Sequence, residues 1–197
     1  MKKVDHLIIG GGMANTFLYA QEKEIGQSLC EKNLSQLAQE IMTIANQFNC
    51  ELHLPSDAVC APKLQEGVKV SIHDINSCPA DKMILDAGPK TIAHINNVLA
   101  STNTLIWNGP LGAFETAPFD IATEKIAKIV AKMTKTKQLL SVAGGGDTVA
   151  ALNKAKILNE LSYVSNAGGA FLEWMEGKDL PGLLALHGAN SLNLNQM

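Results

Sequence analysis

Two hydrophobic rhythms alternate along this chain, and the switches between them mark its elements. Short apolar runs at 4–9, 83–85, 104–107, 138–143 and 162–165 read as strands, the first of them buried. The segment 51–54 reads as another, stopped by Pro55. Between the runs, apolar residues recur at helical spacing. Helices are expected over 13–22, 35–48, from Pro89 to about 100, 122–135, 147–156 and 169–176. Leu37, Ile41, Ile44, Ala45 and Phe48 carry the pattern in the second, and Ser35 is its expected N-cap. Ile92, Ile95 and Leu99 carry it after Pro89; Ile126, Ile129, Val130 and Met133 carry it in 122–135. In 68–72, Val68, Val70 and Ile72 alternate with Lys69 and Ser71, the mark of a half-buried antiparallel edge strand.

Strands alternating with helices imply an α/β fold: Rossmann-like, three layers (α/β/α), with a mainly parallel sheet. We find no internal repeat and no dividing linker, so residues 1–189 are expected to form one domain and 190–197 a polar tail.

Glycine clusters follow three of the strands: Gly10-Gly11-Gly12, Gly144-Gly145-Gly146 and Gly168-Gly169. In a parallel sheet such turns share one edge, where helix N-termini and backbone N–H groups favour anions. Asp86-Ala87-Gly88 and Asn108-Gly109-Pro110-Leu111-Gly112 end strands on the same edge. A single helix N-terminus is a weak anion site, whereas converging turns can hold a polyphosphate. Asp147 would repel a phosphate unless a hard cation bridges them, which suits Mg2+. Thr148 offers a hydroxyl to a phosphate, and Glu115 an acceptor for ribose hydroxyls. Each also has a plain structural reading. The glycines turn the chain, Asp147 caps a helix, Glu115 is a solvated carboxylate, Asp86 belongs to a turn or helix start, and Trp107 and Trp174 pack.

Composition narrows the choice. Net charge is −3 and no basic run exists, against nucleic acid or an anionic membrane as partner. All 16 cations are lysines, so the guanidinium fork that suits a phosphorylated carboxylate is absent from this chain. Cys30, Cys50, Cys60 and Cys78 lack C-x-x-C spacing and read as reduced thiols of a cytoplasmic protein; a zinc site from Cys60, His73 and Cys78 is a minor alternative. His6, His53, His73, His94 and His187 show no metal or triad spacing. No apolar run reaches a membrane span of roughly 20 residues, and the N-terminus lacks the features of a signal peptide. A nicotinamide fingerprint fails because Asn15 stands where its last glycine belongs, and no G-x-x-x-x-G-K-[ST] loop is present.

Five blocks resemble the phosphoglycerate kinase family, specifically its C-terminal, nucleotide-binding half: LIIGGGMANTFL from Leu7 to Leu18, LDAGPKT from Leu85 to Thr91, WNGPLGAFE from Trp107 to Glu115, GGGDT from Gly144 to Thr148, and GGAFLEWMEGK from Gly168 to Lys178. The resemblance implies reversible phosphoryl transfer in glycolysis between 1,3-bisphosphoglycerate and magnesium-ADP, giving 3-phosphoglycerate and ATP. It implies that Gly11, Gly12 and Leu85 line an adenine slot with Pro110, Gly112 and Ala113 beside it. Glu115 would hold the ribose, and Asn108 would lie near the phosphates. Gly145 and Gly146 would offer amides to the phosphate chain, Asp147 would reach the metal and Thr148 a phosphate. Gly168 and Gly169 would act in catalysis by stabilising the phosphoryl group in flight.

This sequence departs from the family pattern at Ser165-Asn166-Ala167, where the family has serine-threonine and a further glycine. The resemblance further implies that the family's opening G-G-A-K loop and its arginine-bearing half lie outside this chain. The chain alone is then expected to be inactive, with 3-phosphoglycerate bound only through the other half, and the whole protein to be a monomer. The competing reading is a non-catalytic nucleotide-binding or assembly module built on the same turns.

Overall fold

The structure, a computed structural model, describes residues 3–165, 167, 169–170, 173, 177–181 and 184. Strand β1 (His6–Ile8) leads through the first glycine turn into α1 (Gly11–Ala20). Helix α2 (Ser35–Gln47) and β2 (Glu51–His53) follow, and β2 pairs parallel with β1. Next come β3 (Asp57–Ala61), β4 (Ser71–Asp74) and β5 (Met83–Ala87), joined antiparallel in the order β4-β3-β5. Then α3 (Pro89–Ala100), β6 (Thr104–Trp107), α4 (Ile121–Lys135), β7 (Leu140–Gly144), α5 (Gly146–Lys154) and β8 (Tyr163–Ser165) alternate, with β6, β7 and β8 parallel. The fold is α/β and Rossmann-like, and backbone pairing divides its strands into three short sheets.

The main core lies between α3, α4 and α5 and the parallel strands. It holds Ile95, Leu99, Trp107, Ile126, Val130, Leu139, Ala143 and Leu152, with Ile92, Ile129 and Met133 packed at its margin. A second core joins Leu18 of α1 to Ala58 and Cys60 of β3, and a third packs Phe17 of α1 on Ala38 of α2.

Three expectations need correction. Strand β3 was not anticipated: four of its five residues are buried, so it lacks the alternation that betrays a half-exposed strand. Ser35 is not a cap. A 3-10 turn over Lys32–Leu34 runs straight into α2, and Leu34 stands at the N-cap with no side-chain bond. Helix α2 buries Ala38 and Ala45 and packs Ile41 and Met42 against the α1 cluster, but Leu37, Ile44 and the following Phe48 are exposed. The edge strand expected at 68–72 forms at Ser71–Asp74, antiparallel as foreseen. Most of the helix expected at 169–176, with Trp174, and the whole 190–197 tail lie outside the described residues.

A buried carboxylate fixes α3. Gly88 and Pro89 open this helix without a side-chain cap of their own. Asp57 caps it from β3 instead, accepting from Lys90 N at 3.0 Å and Thr91 N at 2.8 Å, with Thr91 Oγ1 2.8 Å from its Oδ1. The Asp57 carbonyl accepts from Gly88 N at 2.9 Å. A Cβ at Gly88 would overlap the Asp57 carboxylate, so glycine is required by close approach. Asp57→Ala orphans these donors in a site that is 2% exposed. We expect it to lower stability to urea by on the order of 3 kcal/mol, with Asp57→Asn costing less because one acceptor survives.

Candidate functional site: a rim of glycine turns

The loop from Trp107 to Ala113 is the hub of the site. Trp107 Nε1 donates to Gly109 O at 2.7 Å, which tightens the turn; the indole itself is core, as expected. On one side the loop meets the first glycine turn. Gly11 N donates to Leu111 O at 3.1 Å, and Gly11 lies against the Pro110 carbonyl. Ala113 N donates to Leu85 O at 2.8 Å, so β5 joins the same group. Gly11, Leu85, Pro110 and Ala113 are thereby brought together, and Gly12 follows on an exposed position of α1.

On its other side the loop meets the turn before α5. Gly109 N donates to Thr148 Oγ1 at 2.6 Å. Gly145, at φ +98°, caps α5 with its Cα against Asn108, and an added Cβ would overlap the Asn108 amide oxygen. The left-handed conformation and the close approach both call for glycine here. Gly146 and Asp147 form the exposed first turn of α5. Asp147 caps nothing and makes no hydrogen bond or ion pair with the described residues. Thr148 is 1% exposed, so its hydroxyl is a strut between two turns, a role the sequence did not suggest. Asn108 and Glu115 are exposed.

The third turn is only partly described. Strand β8 pairs parallel with β7, Gly144 opposite Ser165, so β7 and β8 end at the same sheet edge. Gly169 is exposed, with no neighbour within 4 Å of where a Cβ would stand. Gly168 and Asn166 lie outside the described residues.

Other residues shape the rim without having been singled out for it. Asp86 is not a turn residue: it lies within β5, next to its last residue, at 2% exposure. Its carboxylate accepts from Ala87 N and Ala122 N, each at 2.9 Å, and so holds the start of α4. A Cβ at Gly112 would overlap this carboxylate, which explains the glycine there. Lys154 of α5 donates to Phe114 O at 2.7 Å and pairs with Asp120 at 2.9 Å, bracing the segment that carries Glu115. Neither role has a sequence signal, since each joins residues more than 30 positions apart.

The minor zinc alternative fails. Cys60 and Cys78 lie 4.0 Å apart in the second core, but His73 bonds Ser71 Oγ at 2.8 Å, and the three are not a cluster of metal-ligand atoms. Burial pushes the Cys60 thiol up to about 12, and all four cysteines are free. A cleft of about 480 Å³ lined by Tyr19, Lys23, Ile25, Lys32 and Gln39 shares no residue with the rim. Among the described residues, no helix is long and apolar enough to cross a membrane.

Fold and rim thus define an α/β protein whose strand ends converge on a shelf of glycine turns. The family model for phosphoglycerate kinase matches residues 1–178, and the chain belongs to that family. A phosphoglycerate kinase of Cereibacter sphaeroides is 59% identical over 185 residues, covering 94% of this chain and 47% of that protein. One from Dinoroseobacter shibae is 55% identical, covering 96% and 48%. Among solved structures, the phosphoglycerate kinase of Coxiella burnetii superposes with a TM-score of 0.85 at 45% identity, covering 89% of this chain and 45% of that one. The chain spans about half the length of the curated relatives it matches.

Burial pushes the Asp86 carboxyl up to about 7; the Ala122 and Ala87 amides oppose the rise and the Asp120 carboxylate adds to it. Between roughly pH 4 and pH 7 the folded chain therefore holds a proton that the unfolded chain has released. Stability from this group falls as pH rises through that window. Urea unfolding of the native chain should lose about 4 kcal/mol relative to Asp86→Asn between pH 4 and pH 8, at about 1.4 kcal/mol per pKa unit.

Proposed function

We propose that this chain is the nucleotide half of a phosphoglycerate kinase, transferring a phosphoryl group reversibly between 1,3-bisphosphoglycerate and ADP. The observation that carries the reading is the convergence of turns through the Trp107–Ala113 loop, since it gathers the residues that the family resemblance assigns to the nucleotide. In this reading Gly11, Gly12, Leu85, Pro110, Gly112 and Ala113 form a mostly backbone slot for adenine. Glu115 accepts from the ribose, and Asn108 lies near the phosphates. The amides of Gly145, Gly146 and the α5 first turn, which have no intrahelical acceptor, receive phosphate oxygens, with the Thr148 hydroxyl beside them.

Asp147 fits a magnesium ion: its carboxylate is exposed and hard, and it makes no hydrogen bond or ion pair with the described residues. When bound, the ion would offset the charge of the phosphate chain. Gly168 and Gly169, which the resemblance assigns to the transferred phosphoryl group, offer amides that stabilise charge without reorganising. With no arginine in the chain, the carboxylate and phosphate of 3-phosphoglycerate are bound by other residues of the whole protein. The cytoplasm is the setting this reaction and the free cysteines suit.

Titration of the chain with ADP, with and without Mg2+, tests the nucleotide site. Affinity should depend on Mg2+ and fall at least about tenfold in Asp147→Asn. Phosphoryl transfer should be absent from the chain alone and recovered on mixing with the N-terminal half of the Cereibacter sphaeroides relative. Magnesium-independent binding with no transfer in the mixture would instead mark a non-catalytic nucleotide module.

A further inference from the structure

Away from the glycine rim, the paired strands β1 and β2 gather a second chemical cluster. His6 stands opposite Glu51 in the parallel register, and His53 follows Glu51 by two residues, on the same face of β2. His6 Nδ1 lies 3.0 Å from His53 Nε2 and 3.4 Å from Glu51 Oε2. Ligand atoms of all three lie within 4.8 Å of one another.

We propose that His6, Glu51 and His53 form a binding site for a divalent transition ion of the zinc class, with His94 positioning the His53 ring. The spacing supports it: four ligands at about 2.0–2.1 Å around tetrahedral zinc stand about 3.3–3.4 Å apart. The observed 3.0 and 3.4 Å close onto that geometry with small side-chain shifts. The donor set of two imidazoles and one carboxylate suits zinc, nickel or copper and not magnesium, which takes oxygen ligands.

His94 already holds the His53 ring from the side away from the site. His53 Nδ1 lies 2.9 Å from His94 Nε2. With that proton on His53 and donated to His94, the lone pair of His53 Nε2 faces His6 and Glu51, as metal binding requires. His6 must then carry its proton on Nε2, a tautomer change that releases no proton. Glu51 is exposed and His6 half-buried, which leaves the fourth position open to solvent water.

The site uses none of the rim residues and does not depend on the kinase reading. The test is calorimetric titration of the metal-stripped 197-residue chain with zinc chloride, with cobalt(II) absorption as a second probe. One zinc ion per chain is expected, with tetrahedral cobalt bands lacking thiolate charge transfer. His6→Gln and Glu51→Gln should each weaken binding at least about tenfold. Both alter side chains outside the packed core, so circular dichroism can verify the fold. Cys60→Ser and Asp147→Asn should leave binding unchanged. Absence of zinc binding, affinity unaltered by Glu51→Gln, or loss of binding in Cys60→Ser would overturn the proposal.

Discussion

A carboxylate sealed inside protein must find donors, and the site depends on how Asp57 does so. It satisfies the first amides of α3 from the neighbouring strand β3, while its carbonyl takes the Gly88 amide at the end of β5. Strand, turn and helix are thus locked at one point. The lock sets where β5 ends, and β5 in turn presents the Leu85 carbonyl that holds Ala113. Asp86 repeats the device one residue on, capping α4 from β5. Burial is costly for such groups unless every lone pair is used, so the two aspartates specify geometry more than they add stability.

The second constraint is that the rim has no continuous sheet beneath it. Strands β1 and β2 pair only with each other, β5 belongs to an antiparallel unit, and β6 to β8 form a third sheet. Main-chain bonds span the gaps, from Gly11 to Leu111 and from Ala113 to Leu85, and the Thr148 hydroxyl ties Gly109 to α5. Glycines at 10, 112 and 145 are needed because another backbone or a side chain occupies the space a Cβ would take.

Much of this was legible beforehand, in a patterned way. Elements with strong period, such as α3 and β6, appear where the spacing put them. Strand β3 was invisible because burial on both faces erases alternation. The glycine turns were readable as a group since each follows a strand. The long-range partners were not: nothing local marks Asp57 as the cap of a helix 33 residues away, or Thr148 as a strut to Gly109. The histidine cluster escaped for the same reason. His6, His53 and His94 are far apart in sequence and meet only once β1 and β2 are paired and α3 lies beside them.

A shelf assembled from amides and carbonyls has an evolutionary corollary. Exchanging the Glu115 side chain, or adding one at Gly146, alters decoration on an exposed surface but leaves the underlying peptide scaffold where it was. Drift at such open positions can therefore tune this surface, whereas a side chain at Gly10, Gly112 or Gly145 would collide with its neighbours. Reshaping the contour itself would take inserted or deleted residues in the segment between β6 and α4, where one added link would displace the contacts to Gly11, Leu85 and Thr148 together.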